Sequence, residues 1–207
     1  RGVVNMLEIQ AEHAQSDDAR VQLLSRVGEL QSDTLHDFDA AFDAWSRVLL
    51  VDPSSDRARE QVEAAAERRR NWADVVSLYE EIFESAPQNT DEERALAVAW
   101  GERLADLYDS RIEDIDAAID AQQRVLLIEP AHWASRRILS NDLLPRAERW
   151  NDLVDVLIEN INLQEDAMDR RLTRGKLAEV YATRLEDGDA AVGVWNDVLA
   201  EDPEDSE

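Results

Sequence analysis

RLADLYDSRIEDIDAAIDAQQRVLLIEP, from Arg103 to Pro130, decides the fold, because the chain states it three times. An earlier copy, RVGELQSDTLHDFDAAFDAWSRVLLVDP, runs from Arg26 to Pro53, and a later one, KLAEVYATRLEDGDAAVGVWNDVLAEDP, from Lys176 to Pro203. In each copy apolar residues recur at three- and four-residue spacing on both sides of a polar break, the pattern of two amphipathic helices joined by a turn. One such pair cannot bury its apolar stripe alone, so neighbouring pairs must stack and complete each other.

Working outward from the three strong copies, the spacing predicts five helical hairpins over 18–53, 54–87, 91–130, 131–163 and 167–203, with 1–15 as the second helix of a truncated repeat. The whole chain, 1–207, is expected to form a single repeat array with one continuous core. It opens inside a helical pattern at Arg1 and stops just after a repeat-ending Asp-Pro, which points to a fragment of a longer protein. Gln88 to Glu93 is expected as a polar surface linker before a helix starting near Leu96, and Pro145 is expected to end or kink its helix.

The formal net charge of −25 excludes nucleic acid and anionic membrane as natural partners, since phosphate is repelled by such a surface. Lys176 is the only lysine beside many arginines, a bias typical of GC-rich coding. With no cysteine there are no disulfides or thiolate metal sites. Gly and Pro are too scarce for a loop-rich β fold, and there is no apolar run long enough to span a bilayer.

Catalytic chemistry needs a convergent polar constellation, and none is visible, so the chain is read as no enzyme. His13, His36 and His132 lack metal-ligand spacing, and the glycines form no phosphate cradle. Asp37-x-Asp39, Asp114-x-Asp116 and Asp187-x-Asp189 recur at the same turn, but the Gly and distal Glu of a calcium loop are missing, and helix capping explains them. No metal and no cofactor are expected.

Counting back from Pro53, Pro130 and Pro203, the chain resembles the tetratricopeptide-repeat family. A small residue falls inside the second helix at Ala41, Ala118 and Ala191, and a large aromatic at Trp45 and Trp195, with Gln122 in the middle copy. The first-helix signature falls on Leu104, Ala105 and Tyr108, and on Leu177, Ala178 and Tyr181. The turn between helices is one residue longer than the family's, and Val48, Val125 and Val198 stand where the family prefers Ala. The half-a-tetratricopeptide helical repeat is the related alternative. Either resemblance implies an all-α, right-handed α-solenoid of antiparallel helix hairpins plus a leading helix.

Basic residues concentrate on first helices, while second helices and turns carry most of the carboxylates. The resemblance places first helices along a concave groove, so the expected function is a protein-interaction scaffold holding a peptide or protein that carries carboxylates. Arg26, Arg57, Arg103, Arg137 and Lys176 are the candidate cations. The competing reading is that they neutralise carboxylates on neighbouring helices. Arg137 followed by Asn141 resembles the start of the family's two-carboxylate clamp, with Lys176 as a later member, although Glu179 and Leu172 stand where that clamp has Asn and a basic residue. Trp45, Trp72, Trp150 and Trp195 are repeat-equivalent and expected to pack between hairpins. Trp100 and Trp133 lack equivalents and are expected to be partly exposed and available to a partner. Self-association through exposed terminal hairpins, or a regulatory role inside a larger enzyme, are the alternative functions.

Overall fold

The structure, a computed structural model, describes residues 2–201. Every regular element among them is helical, so the all-α class stands. The closing Pro203 of the last hairpin lies outside the described residues. The chain divides into two compact units, Arg1–Glu113 and Asp114–Glu207.

In the first unit α1 (Gly2–Glu12), α2 (Asp17–Glu29), α3 (Phe38–Val51), α4 (Asp56–Arg69), α5 (Ala73–Ser85) and α6 (Asp91–Leu107) pack consecutively, each against the next. Such neighbour-to-neighbour packing is the mark of a helical repeat. Val4, Val27 and Ala44 join α1, α2 and α3 in one apolar cluster, flanked by Leu7 and Leu30. Trp45 is buried at the heart of this layer, where Gly28 makes room for it: a Cβ at position 28 would lie 2.5 Å from the indole.

The second unit holds α7 (Ile115–Ile128), α8 (Trp133–Ile138), α9 (Leu144–Arg146), α10 (Trp150–Leu163), α11 (Ala167–Thr183) and α12 (Gly188–Glu201). A π-helical turn, Leu139–Leu143, joins α8 to α9, so the helix carries on through Pro145 to Arg146. Proline lacks an amide hydrogen and crowds the carbonyl one turn back; a π-helical turn stands just before it, and the helix ends one residue after it, at Arg146.

The repeated Asp turn is a cap. Asp37, Asp114 and Asp187 each accept a hydrogen bond from a backbone amide three residues on, at 3.1, 3.0 and 2.9 Å, an interaction that stabilises a helix start by about 1 kcal/mol. π-helical turns lead into two of these Asp turns, Leu30–Leu35 after α2 and Tyr108–Ile112 after α6. Each ends on a left-handed residue, His36 and Glu113. At the other expected linker, Thr90 and Glu93 form a capping box, so α6 starts at Asp91, inside the stretch 88–93 that the sequence marks as linker.

The tryptophans divide by what covers them. Arg111 lies over Trp72 at 4.6 Å, and Arg184 over Trp150 at 4.7 Å, the same cation–π contact repeated in each unit. Trp195, expected to pack as Trp45 does, is 48% exposed. Trp45 has α4 beyond it; among the described residues no helix follows α12.

Candidate functional site

In the first unit the candidate cations are consumed by carboxylates. Arg26 pairs with Glu29 at 2.9 Å, and Arg57 reaches the same carboxylate while its guanidinium lies 5.5 Å over the Trp45 ring. The hydrogen bond from Arg26, helped by Arg57, holds the Glu29 carboxyl below the usual range. Arg103 on α6 grips Glu63 on α4 through two hydrogen bonds, and the Tyr79 hydroxyl donates to the same carboxylate at 2.7 Å. Burial first, and the Glu63 carboxylate second, push the Tyr79 phenol well above its ordinary pKa. The Trp100 indole packs edge-on against Tyr79, ring centroids 4.7 Å apart, and is only 4% exposed. Trp100 is therefore a core residue, contrary to its expected exposure.

The second unit brings four of the sequence-nominated residues together. Trp133 and Arg137 from α8, Asn141 from the π-helical turn and Lys176 from α11 line one cleft of about 280 Å³. Trp133 is 45% exposed, and Arg137 is exposed, with no ion pair or hydrogen bond among the described residues. Lys176 donates from Nζ to the Ser140 carbonyl at 2.7 Å and to Asn141 Oδ1 at 2.6 Å, both uncharged acceptors. Burial pulls its pKa below the ordinary lysine value, opposed by the charge of Glu179.

Repeat register shows what sets the lining of this cleft apart. The copies begin at Arg26, Arg103 and Lys176, so Lys176 is the counterpart of Arg103. Aligned on Pro53 and Pro130, Glu63 corresponds to Ser140. In the same registers Trp100 corresponds to Thr173, and Tyr79, in the matched helices WADVVSLYEEI and WNDLVDVLIEN, to Leu157. Ser140, Thr173 and Leu157 all line the cleft. The first unit also has a cleft here, of about 540 Å³ and lined by Trp100 and Arg103, but there the cation is taken by a carboxylate that also binds a phenol. The second replaces carboxylate, indole and phenol with smaller, uncharged side chains and keeps the cation.

These three residues escaped selection from the sequence because each is unremarkable alone. Only the comparison with positions 63, 79 and 100 marks them. Of the eight nominated residues, Arg26, Arg57 and Arg103 are paired with carboxylates, Trp100 is buried, and Trp133, Arg137, Asn141 and Lys176 converge.

Among the described residues no group of three or more His, Asp or Glu side chains is placed to hold a metal ion, and no helix is long and apolar enough to cross a membrane. No family model and no curated protein matches this chain. Among solved structures, the crystal structure of MamA protein aligns over 89% of this chain and 92% of that one, at 15% identity and a TM-score of 0.42. The assignment to helical repeats rests on the helices and their packing described above.

Proposed function

We propose that the chain is a non-catalytic protein-interaction scaffold of tetratricopeptide-like repeats, and that the cleft between α8 and α11 receives a carboxylate of a peptide or protein partner. One observation carries this reading: Lys176 occupies the place of Arg103, but the carboxylate that Arg103 binds has been replaced by Ser140. A partly buried ammonium whose two hydrogen bonds go to neutral oxygens has a third N–H to offer, and a carboxylate placed there adds the attraction of opposite charges to the hydrogen bond. Arg137 supplies a second, unpaired cation at the rim, and the exposed Trp133 face offers apolar contact to the neighbouring residues of a bound segment.

Ser140→Glu tests the proposal by returning to the second unit the carboxylate that the first unit holds. Isothermal titration with acidic peptides is expected to show binding to the unaltered chain, with loss of at least tenfold in affinity in the variant while the helical content stays the same. Affinity that is indifferent to peptide charge, or to Ser140→Glu, rejects the carboxylate reading.

The exposed Val192, Trp195 and Leu199 favour one alternative, self-association through α12. Light scattering across a concentration series separates the two: a monomer supports the scaffold, and a stable dimer that Trp195→Asp dissolves supports assembly.

A further inference from the structure

The second helices of the second unit carry a surface of opposite character. Leu126 and Leu127 at the end of α7, with Val156 and Leu163 on α10, line a groove of about 540 Å³. Leu127 is 83% exposed, the most exposed large apolar side chain in the described chain. Leaving a leucine in water forfeits the free energy of its burial, so a groove that displays one beside further apolar side chains is matched to an apolar occupant.

The rim sets the charge of that occupant. The ionisable side chains of α10 are Asp152, Asp155 and Glu159, without a single base. Asp152 is paired with Arg149. Glu159 meets Arg136 at 3.1 Å but is itself 62% exposed. Arg136 cannot turn outward: it is buried, and it also donates to the Pro130 carbonyl at 2.7 Å and to Asn160 at 3.1 Å. Asp155 lines the groove with no ion pair or hydrogen bond among the described residues. An apolar floor edged by Asp155 and the outer side of Glu159 calls for an apolar ridge flanked by cations.

We infer that the α7–α10 groove docks a cationic amphipathic helix of a protein partner. Leu127 on α7 and Leu163 on α10 offer exposed apolar side chains over a floor that includes the buried Val156, a surface that the apolar ridge of a helix fits, with Lys or Arg beside it reaching Asp155 and Glu159. The site is separate from the cation-lined cleft between α8 and α11, so the scaffold would hold an acidic segment with its first helices and a basic helix with its second.

Fluorescence anisotropy with two labelled synthetic helices tests this, one presenting a leucine ridge flanked by lysines and the other the same ridge flanked by glutamates. The lysine helix is expected to bind, and to lose about tenfold or more in affinity on Leu127→Asp and again on Asp155→Lys, with weakening as salt is raised. The glutamate helix is expected to bind at least tenfold more weakly. Because Leu127 is exposed, circular dichroism of Leu127→Asp should match the parent. The same variant should keep its affinity for acidic peptides, so the two sites are scored apart. Equal binding of both helices, or lysine-helix binding untouched by Leu127→Asp, overturns the inference. So does a dimer in sedimentation velocity that Leu127→Asp dissolves, which would make a second copy the occupant.

Discussion

The Arg103 guanidinium holds the Glu63 carboxylate by two parallel hydrogen bonds, Nε to Oε1 at 2.7 Å and Nη2 to Oε2 at 2.8 Å. Tyr79 completes the arrangement from a third helix. Glu63→Gln removes the charge that both groups face while keeping the shape. Arg103 is 38% exposed, so water recovers part of the loss, and we expect destabilisation of about 1–2 kcal/mol, read as a lowered midpoint of thermal unfolding.

Lys176 offers a selective chemical probe, being the only lysine in the chain. Because burial depresses its pKa, Nζ is expected to become neutral, and so reactive toward acylation, at lower pH than an exposed lysine. A bound carboxylate favours the charged amine. Acidic peptides should therefore protect Lys176 from labelling, and their affinity should fall as pH rises through the depressed value. Mass spectrometry of the peptide containing Lys176 reads both effects.

Two glycines should respond in opposite directions. At Gly28 an added Cβ would collide with the buried Trp45 ring at 2.5 Å, so Gly28→Ala should cost about 1–3 kcal/mol through overpacking. At Gly175 the nearest atom, on Trp195, is an ordinary 3.7 Å away, so close packing does not require glycine there. Gly175→Ala should stabilise the chain by up to about 1 kcal/mol through helix propensity. Urea denaturation of the two variants checks the pair.

Glu29 should contribute to acid lability. Its folded pKa is lowered, chiefly by the hydrogen bond from Arg26, so its contribution to stability is full above the ordinary glutamate pKa of about 4.3 and is lost as pH falls through the lower folded value. Glu29→Gln should flatten the dependence of unfolding midpoint on pH within that acid window and leave the slope near neutrality unchanged.

Helices and their capped starts were legible in the chain because their causes are local. Ala40 finds the Asp37 side chain three residues away whatever surrounds it, and the apolar spacing of Phe38–Val51 already marks one buried face. Trp45, buried, and Trp133, partly exposed, were also as the sequence predicts, but Trp100 and Trp195 were not legible in this way. Trp100 lies in the core because Tyr79 and α5 cover it, whereas Trp195, which stands eight residues before its repeat-ending proline as the buried Trp45 does, faces solvent. Exposure is decided by the neighbour, which periodicity along one helix does not report. The cleft was half legible: its cations stand out against an acidic chain, but what distinguishes it is the lack of a carboxylate at position 140, and that lack has meaning only beside Glu63 in the matching repeat.

Five residues of the described chain, His36, Arg70, Glu113, Glu148 and Glu186, adopt left-handed backbone geometry, and none of them is glycine. Each closes a helix with a conformation that strains a Cβ, at a cost of about 1 kcal/mol or somewhat more. At these corners the molecule sits below the stability its own backbone permits. A modest set of changes to glycine or asparagine there should toughen the protein against heat while leaving both proposed recognition surfaces untouched.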